Sequence, residues 1–220
     1  MTENEANTGM IGIIDYGMGN LGSVYNACRF LDLPARVLHH TDEAGECEAL
    51  ILPGVGAFGD CLEQLRARGW DPVCRDWVQA DRPFLGICVG LQALFEGSEE
   101  SPDVPGLGLL GGRVRRFAGG PGLKIPQMGW NRVRQTQPQC PLFDGIADGA
   151  FFYFVHSYYA APADTATACG VTEYGPSYAS AVRAGRCYAV QFHPEKSHED
   201  GLRVLRNFAV HVAESGKDAR

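Results

Sequence analysis

Pro83-Phe-Leu-Gly-Ile-Cys-Val-Gly-Leu-Gln-Ala-Leu-Phe95 passes from one hydrophobic period to another with no loop between them. Its first six residues form a continuous apolar run, the pattern of a strand buried on both faces, and the helical period begins at Val89. Two earlier segments repeat the plan. Met10-Ile-Gly-Ile-Ile-Asp15 runs through Tyr16-Gly-Met-Gly-Asn20 into a helical stretch over 21–31, before Pro34. Glu48-Ala-Leu-Ile-Leu-Pro53 breaks at Gly54-Val-Gly56 and continues as a helix over 57–68, with Phe58, Cys61, Leu62 and Leu65 on one face. Asp71-Pro72 predicts a further helix over 71–80, with Asp as N-cap and Pro at the first position. Strands alternating with helices pair in parallel through right-handed crossovers. The expected class is therefore α/β, an open, mostly parallel sheet with helices on both faces.

Beyond about residue 106 the helical period disappears. Strand-like segments at 113–117, 130–134, 151–159, 166–173, 178–183 and 187–192 are separated by Gly and Pro. No composition break divides the halves, so these strands are expected to extend the same sheet in antiparallel fashion. A last helix over 198–214 is predicted from a capping box of Ser197 with Asp200 and an apolar stripe of Leu202, Leu205, Phe208, Ala209 and Val212. The domain is placed at 10–213, after a disordered extension over 1–9 and before a flexible tail over 214–220.

The 220 residues include 19 Lys+Arg against 26 Asp+Glu, a formal net charge of −7. That balance argues against nucleic acid or an anionic membrane as the main partner, since both select a basic face. Hydrophobic residues at 45% and charged residues at 20% are ordinary for a globular protein with a substantial core. The polar, acidic start Met1-Thr-Glu-Asn-Glu-Ala-Asn-Thr-Gly-Met10 has no apolar region of the kind a signal peptide needs, and no run of 18 apolar residues suits a membrane span. A cytoplasmic protein with reduced thiols is expected. The eight cysteines include no C-x-x-C pair, so neither a zinc ribbon nor a thioredoxin-type site is indicated.

Gly86-Ile-Cys-Val-Gly90 sets Cys88 between two glycines at a strand-to-helix junction, as a nucleophile elbow requires: the turn is too tight for side chains two positions either side. The helix N-terminus beneath the turn would favour thiolate, and the Val89 N–H is placed to donate to an oxyanion. Read alone, the same residues also fit a buried structural cysteine. A thiol nucleophile needs a base, and the base an orienting group. His193-Pro-Glu195 follows the strand over 187–192 at its carboxyl end, where open α/β sheets build their sites. In an extended segment Glu195 would reach one nitrogen of His193 and leave the other for Cys88. His39 and His40 fall in a loop, His198 and His211 in the last helix, and His156 has no acidic neighbour. Leu52-Pro-Gly-Val-Gly56 fits either an anion-binding nest of backbone N–H groups or a plain tight turn. Tyr16-Gly-Met-Gly-Asn20 lacks the third glycine of a dinucleotide fingerprint.

Taken in order, Pro-Gly-Val-Gly, Gly-Ile-Cys-Val-Gly and His-Pro-Glu resemble the class I (triad) glutamine amidotransferases, whose sheet is flavodoxin-like. Leu52-Pro-Gly-Val-Gly-Ala-Phe58, Pro126-Gln-Met-Gly-Trp-Asn131, Tyr153-Phe-Val-His-Ser157 and Gln191-Phe-His-Pro-Glu-Lys-Ser197 narrow this to the glutaminase subunits of imidazole glycerol phosphate synthase. The resemblance spans residues 10–213. It implies a Cys88 nucleophile, His193 as acid and base, and Glu195 orienting it. Gly54, Val55, Gly56 and Val89 would form the oxyanion hole, with the Val55 peptide able to flip. Gln92, Ser157 and Tyr158 would hold the glutamine α-amino and carboxylate groups. It also implies a heterodimer with a (β/α)8-barrel cyclase that receives the ammonia, met by Asn20, Gln127, Met128, Trp130, Tyr153 and Lys196. No cofactor and no metal are implied. Met, Trp and Tyr supply adaptable apolar area and Lys a charge, although Met128 and Trp130 also fit an ordinary core. Another triad amidotransferase, such as the glutaminase of pyridoxal phosphate synthesis, is disfavoured by Met-Gly-Trp-Asn and Lys196. A cysteine peptidase or esterase is disfavoured by the His-Pro-Glu unit, and an inactive binding subunit by the retained Cys88.

Overall fold

The computed structural model describes residues 9–120 and 122–212. Its strands join in one sheet. The first half supplies β1 (Ile11–Ile14), β2 (Ala35–Leu38), β3 (Ala49–Gly54) and β4 (Phe84–Cys88), connected by α1 (Leu21–Phe30), α2 (Phe58–Ala67) and α3 (Trp70–Gln79). After α4 (Val89–Ala93) come β5 (Gly112–Arg116), β6 (Gln127–Gln135), β7 (Ala150–His156), β8 (Tyr158–Pro162), β9 (Ala168–Glu173), β10 (Ser177–Ala184), β11 (Cys187–Val190) and α5 (His198–Asn207). The order along the sheet is β2-β1-β3-β4-β11-β10-β9-β6-β7, with β8 paired to both β5 and β10. From β2 to β11 every pairing is parallel, and beyond β11 every pairing is antiparallel.

This is the expected class, and its parallel part runs in the flavodoxin-like order. The chain moves one way from β1 to β2 and the other way from β3 to β4. Right-handed crossovers therefore put α1 on one face and α2 and α3 on the opposite one. α5 packs beside α1, and α4 beside α2. All residues of β3 and β4 are buried, as their unbroken apolar runs require. The elbow segment thus stands at the centre of the sheet, with β3 and β11 on either side.

Several elements differ from the sequence reading. The four-residue strand β2 was not predicted, being too short after Pro34 to show a period. The helix expected over 71–80 begins at Trp70 behind Gly69, whose φ of +76° places it in the left-handed region. Asp71 does not cap it, because its carboxylate binds the guanidinium groups of Arg66 and Arg75. The strand expected over 151–159 divides at Ser157, where the chain leaves β6 to pair with β5 and β10. Ser197 forms no capping box; its hydroxyl is engaged elsewhere, as described below. The last helix widens into a π-helix over Phe208–Val212. Leu205, Phe208 and Ala209 of the predicted stripe are buried. The side chain of Val212, the extension over 1–8 and the tail from 213 lie outside the described residues. Among the described residues no helix is long and apolar enough to cross a membrane.

Candidate active site

Cys88 ends β4 with φ +56° and ψ −108°, a conformation that costs energy for a residue with a side chain and that recurs at functional turns. Three glycines make it possible. A Cβ on Gly86 would lie 2.7 Å from the Gly90 carbonyl oxygen, one on Gly54 2.5 Å from the Gly90 nitrogen, and one on Gly90 would run into the Leu52 carbonyl oxygen. The elbow thus interlocks with β3, whose Gly54 is the register partner of Cys88. α4 has only five residues, shorter than the 89–95 expected, so its dipole is a weaker aid to the thiolate than a full helix would be.

His193 follows β11 on the other side of β4. Residues Pro194–Lys196 wind into one 3-10 turn, not the extended segment expected, because Pro194 with its fixed φ opens the turn. The turn still delivers the carboxylate: His193 Nδ1 is 2.9 Å from Glu195 Oε1, and both side chains are buried. The second nitrogen, Nε2, is buried with no well-aligned hydrogen bond. Burial works to lower the His193 pKa, but Cys88 and Glu195 outweigh it and push it up to about 10. The ring is therefore an imidazolium at neutral pH, held between a carboxylate and the sulfur.

A cavity of about 300 Å³ opens over the sulfur, lined by Cys88, Val89, Gln92, Val55, Gly56, Ser157, Tyr158 and His193 among others. The structure thus brings together residues from the ends of β3, β4 and β11 and from the β7–β8 junction, all expected around the nucleophile. Gln92 donates through Nε2 to the Tyr158 carbonyl at 3.0 Å. Glu100, not singled out in the sequence, is the one carboxylate among the described lining residues; its Oε2 accepts from the Phe58 N–H, 2.7 Å away. The signal available for it was an acid shortly after the elbow helix, which is weak without a fold. His156 also lines the cavity, bonded to the Tyr158 carbonyl and the Tyr178 hydroxyl. Burial lowers its pKa to about 4, so it stays neutral and supplies no second base. All eight cysteines are free and buried, and among the described residues no group of three or more His, Cys, Asp or Glu is placed to hold a metal.

Of the residues expected at a partner surface, Met128 and Trp130 are 65% and 45% exposed on the outer face of the β6–β7 hairpin, joined by Phe151 at 48%. The Trp130 ring stacks on His198 and meets Tyr153 edge-on. Lys196, in the turn that precedes His198, is exposed. Gln127 is a correction: strand alternation turns it inward from Met128, and it is buried with its carboxamide 3.0 Å from the Tyr178 hydroxyl. Asn20, at the start of α1, makes no capping bond; its Nδ2 lies 3.5 Å from Glu195 Oε1.

Tyr153 and His193 are tied together through the backbone. The His193 N–H donates to the Tyr153 carbonyl at 2.9 Å, the Tyr153 N–H to Ser197 Oγ at 2.9 Å, and the Ser197 hydroxyl to the His193 carbonyl at 2.6 Å. Ser197→Ala leaves the Tyr153 N–H unpaired, while the His193 carbonyl keeps the Lys196 N–H as a donor, and is expected to cost about 1–3 kcal/mol of unfolding free energy, read as a lower urea midpoint.

A strained cysteine at an elbow, an imidazolium and a buried carboxylate around a small cavity define a cysteine-dependent acyl-transfer enzyme on a flavodoxin-like sheet. The chain belongs to the class-I glutamine amidotransferase family, whose model matches residues 12–212. It is 48% identical over 205 residues to "Imidazole glycerol phosphate synthase subunit HisH" of Desulfitobacterium hafniense (strain DSM 10664 / DCB-2), covering 93% of this chain and 96% of that protein. The subunit of the same name from Moorella thermoacetica is 48% identical over 94% of this chain and 97% of that protein. Among solved structures, "Structure of PurLQS from Thermotoga maritima" superposes with a TM-score of 0.73 at 18% identity, over 91% of this chain and 97% of that one. A crystal structure titled glutamine amidotransferase gives 0.72 at 21% identity, over 92% and 98%.

Proposed function

We propose that this chain is the glutaminase subunit of an imidazole glycerol phosphate synthase, acting in histidine biosynthesis. The observation that carries the reading is the buried Cys88–His193–Glu195 constellation under a cavity of about 300 Å³, in a chain 48% identical to subunits of that name.

The Cys88 thiolate attacks the carboxamide carbon of L-glutamine. As the C–S bond forms, the carbonyl electron pair moves onto oxygen, which is held by the Val89 N–H and an N–H of Gly54-Val55-Gly56. His193 gives its proton to the amide nitrogen, the C–N bond breaks and ammonia leaves. Water, deprotonated by His193, then attacks the γ-glutamyl thioester and releases glutamate. Glu195 keeps the imidazole oriented through both half-reactions. Glu100 faces the cavity with the charge that an α-ammonium requires, and Gln92, Ser157 and Tyr158 complete the contacts to the α-groups.

Ammonia passes to a (β/α)8-barrel cyclase in a cytoplasmic heterodimer. Its docking face centres on Met128, Trp130, Tyr153 and Lys196, with Phe151 enlarging the apolar area and Asn20 at the margin. In the cyclase, ammonia joins a phosphoribulosyl formimino carboxamide nucleotide to give imidazole glycerol phosphate and an aminoimidazole carboxamide ribonucleotide. The test is to mix the chain with a candidate cyclase and that nucleotide and to measure glutamate release. The chain alone is expected to be slow, and the mixture faster by roughly tenfold or more, the scale of an ordinary coupling between sites. Equal rates with and without the cyclase would refute the coupling.

A further inference from the structure

Gln191 follows β11 directly, and its side chain is fully buried between the nucleophile and Gln92. We infer that Gln191 is a further catalytic residue: its carboxamide N–H donates to the Cys88 sulfur and stabilises it as the attacking thiolate. The inference rests on the glutaminase reading of the same site.

The direction of this bond follows from the network around it. The Tyr158 carbonyl can only accept, so the Gln92 atom 3.0 Å from it is the NH2 nitrogen. That nitrogen also lies 3.1 Å from the near end of the Gln191 carboxamide, which must therefore be the oxygen. The far end is then the NH2 group, 3.7 Å from Cys88 Sγ. A backbone carbonyl thus fixes the orientation of two side-chain amides in series, and the second presents a donor to sulfur. The Gln191 N–H is itself bonded to the Ser180 carbonyl at 2.8 Å, which fixes the end of β11 against β10.

A donor from this side answers a need of the site. α4 is little more than one turn, and His193 approaches as a cation only until it gives up its proton. An amide does not titrate, so Gln191 supplies the same donor in every protonation state of the triad. Hydrogen bonds to an ionised acceptor are about twice as strong as neutral ones, and in a buried site they favour the charged form. The titratable groups around Cys88 include His193 and Glu195 beyond β11, Tyr16 after β1, Cys61 on α2, Tyr178 on β10, and His156, Tyr158 and Glu100 in the cavity lining. Unlike these groups, Gln191 carries a donor that no change of pH removes.

The test measures the pH dependence of Cys88 alkylation by iodoacetamide in the full chain, followed on the Cys88 peptide by mass spectrometry. Gln191→Glu keeps an acceptor for Gln92 and loses the donor to sulfur; Gln191→Met loses both. In each, the midpoint is expected to move up by about one pH unit, and kcat for glutamate release in the cyclase complex to fall about tenfold. A midpoint within experimental error of the wild type in Gln191→Glu and Gln191→Met, with unchanged circular dichroism, would overturn the assignment. Alkylation requires no glutamine turnover, so failure of the glutaminase reading would show separately, as no glutamate release from the wild-type complex.

Discussion

Cys88→Ala is expected to reduce glutamine hydrolysis by about four orders of magnitude or more, the scale seen when a nucleophile is removed from a triad, and to leave cyclase binding in place. The proposed docking face lies on the outer surface of β6 and β7, and Cys88 is buried at the end of β4. The variant also alters its neighbour in a way activity alone does not reveal. Cys88 is among the groups that raise the His193 pKa against the effect of burial, so removing the sulfur should lower it from about 10. The sign for stability follows. A histidine whose pKa is higher in the folded state contributes stability that is fully present below its ordinary value of 6.5 and is lost as pH rises through about 10. The wild type should therefore lose stability between those limits more steeply than Cys88→Ala. Glutamate release, pull-down with the cyclase and urea unfolding across pH 6–10 measure the three parts. Undiminished hydrolysis in Cys88→Ala would end the nucleophile assignment.

Gly90→Ala is expected to abolish activity and to destabilise the fold by about 3 kcal/mol or more, near the upper range for overpacking a core. The added Cβ would run into the Leu52 carbonyl oxygen of β3, and backbone atoms cannot yield as a flexible side chain does. Either α4 moves off the sheet, dragging Cys88 and Val89 with it, or β3 shifts and takes Gly54-Val55-Gly56 out of place. Gly22 is the control, since a Cβ there meets nothing and Gly22→Ala should be close to neutral. Urea midpoints of the two variants compare the effects directly, and a Gly90→Ala protein as stable as the wild type would mean that the elbow does not pack on β3.

The parallel half was legible because its strands are buried on both faces and their apolar runs end at glycines required by contact, as at Gly54, Gly86 and Gly90. Cys88, His193 and Glu195 were legible for the same reason: each stands at a strand end whose period is plain. What escaped depended on which partner a polar group takes in three dimensions. Asp71 and Ser197 both fit capping rules in sequence, yet two arginines claim the first, and a carbonyl and an N–H claim the second. Gln127 was set with Met128 through the resemblance, but adjacent residues in a strand face opposite ways. Glu100 and Gln191 acquire their positions only once β3, β4 and β11 lie side by side.

The ties between Tyr153, Ser197 and His193 give the end of the sheet a mechanical meaning. β7 is the terminal strand, paired with another strand along one edge only, with β6. β4 is clamped along both edges. His193 is thus held twice, by its place just after β11 and by the terminal strand, whereas Cys88 is fixed in mid-sheet. Exposed Phe151 and the Tyr153 carbonyl that receives the His193 N–H sit two residues apart on β7, so a load on that face would reach the proton donor through a single hydrogen bond.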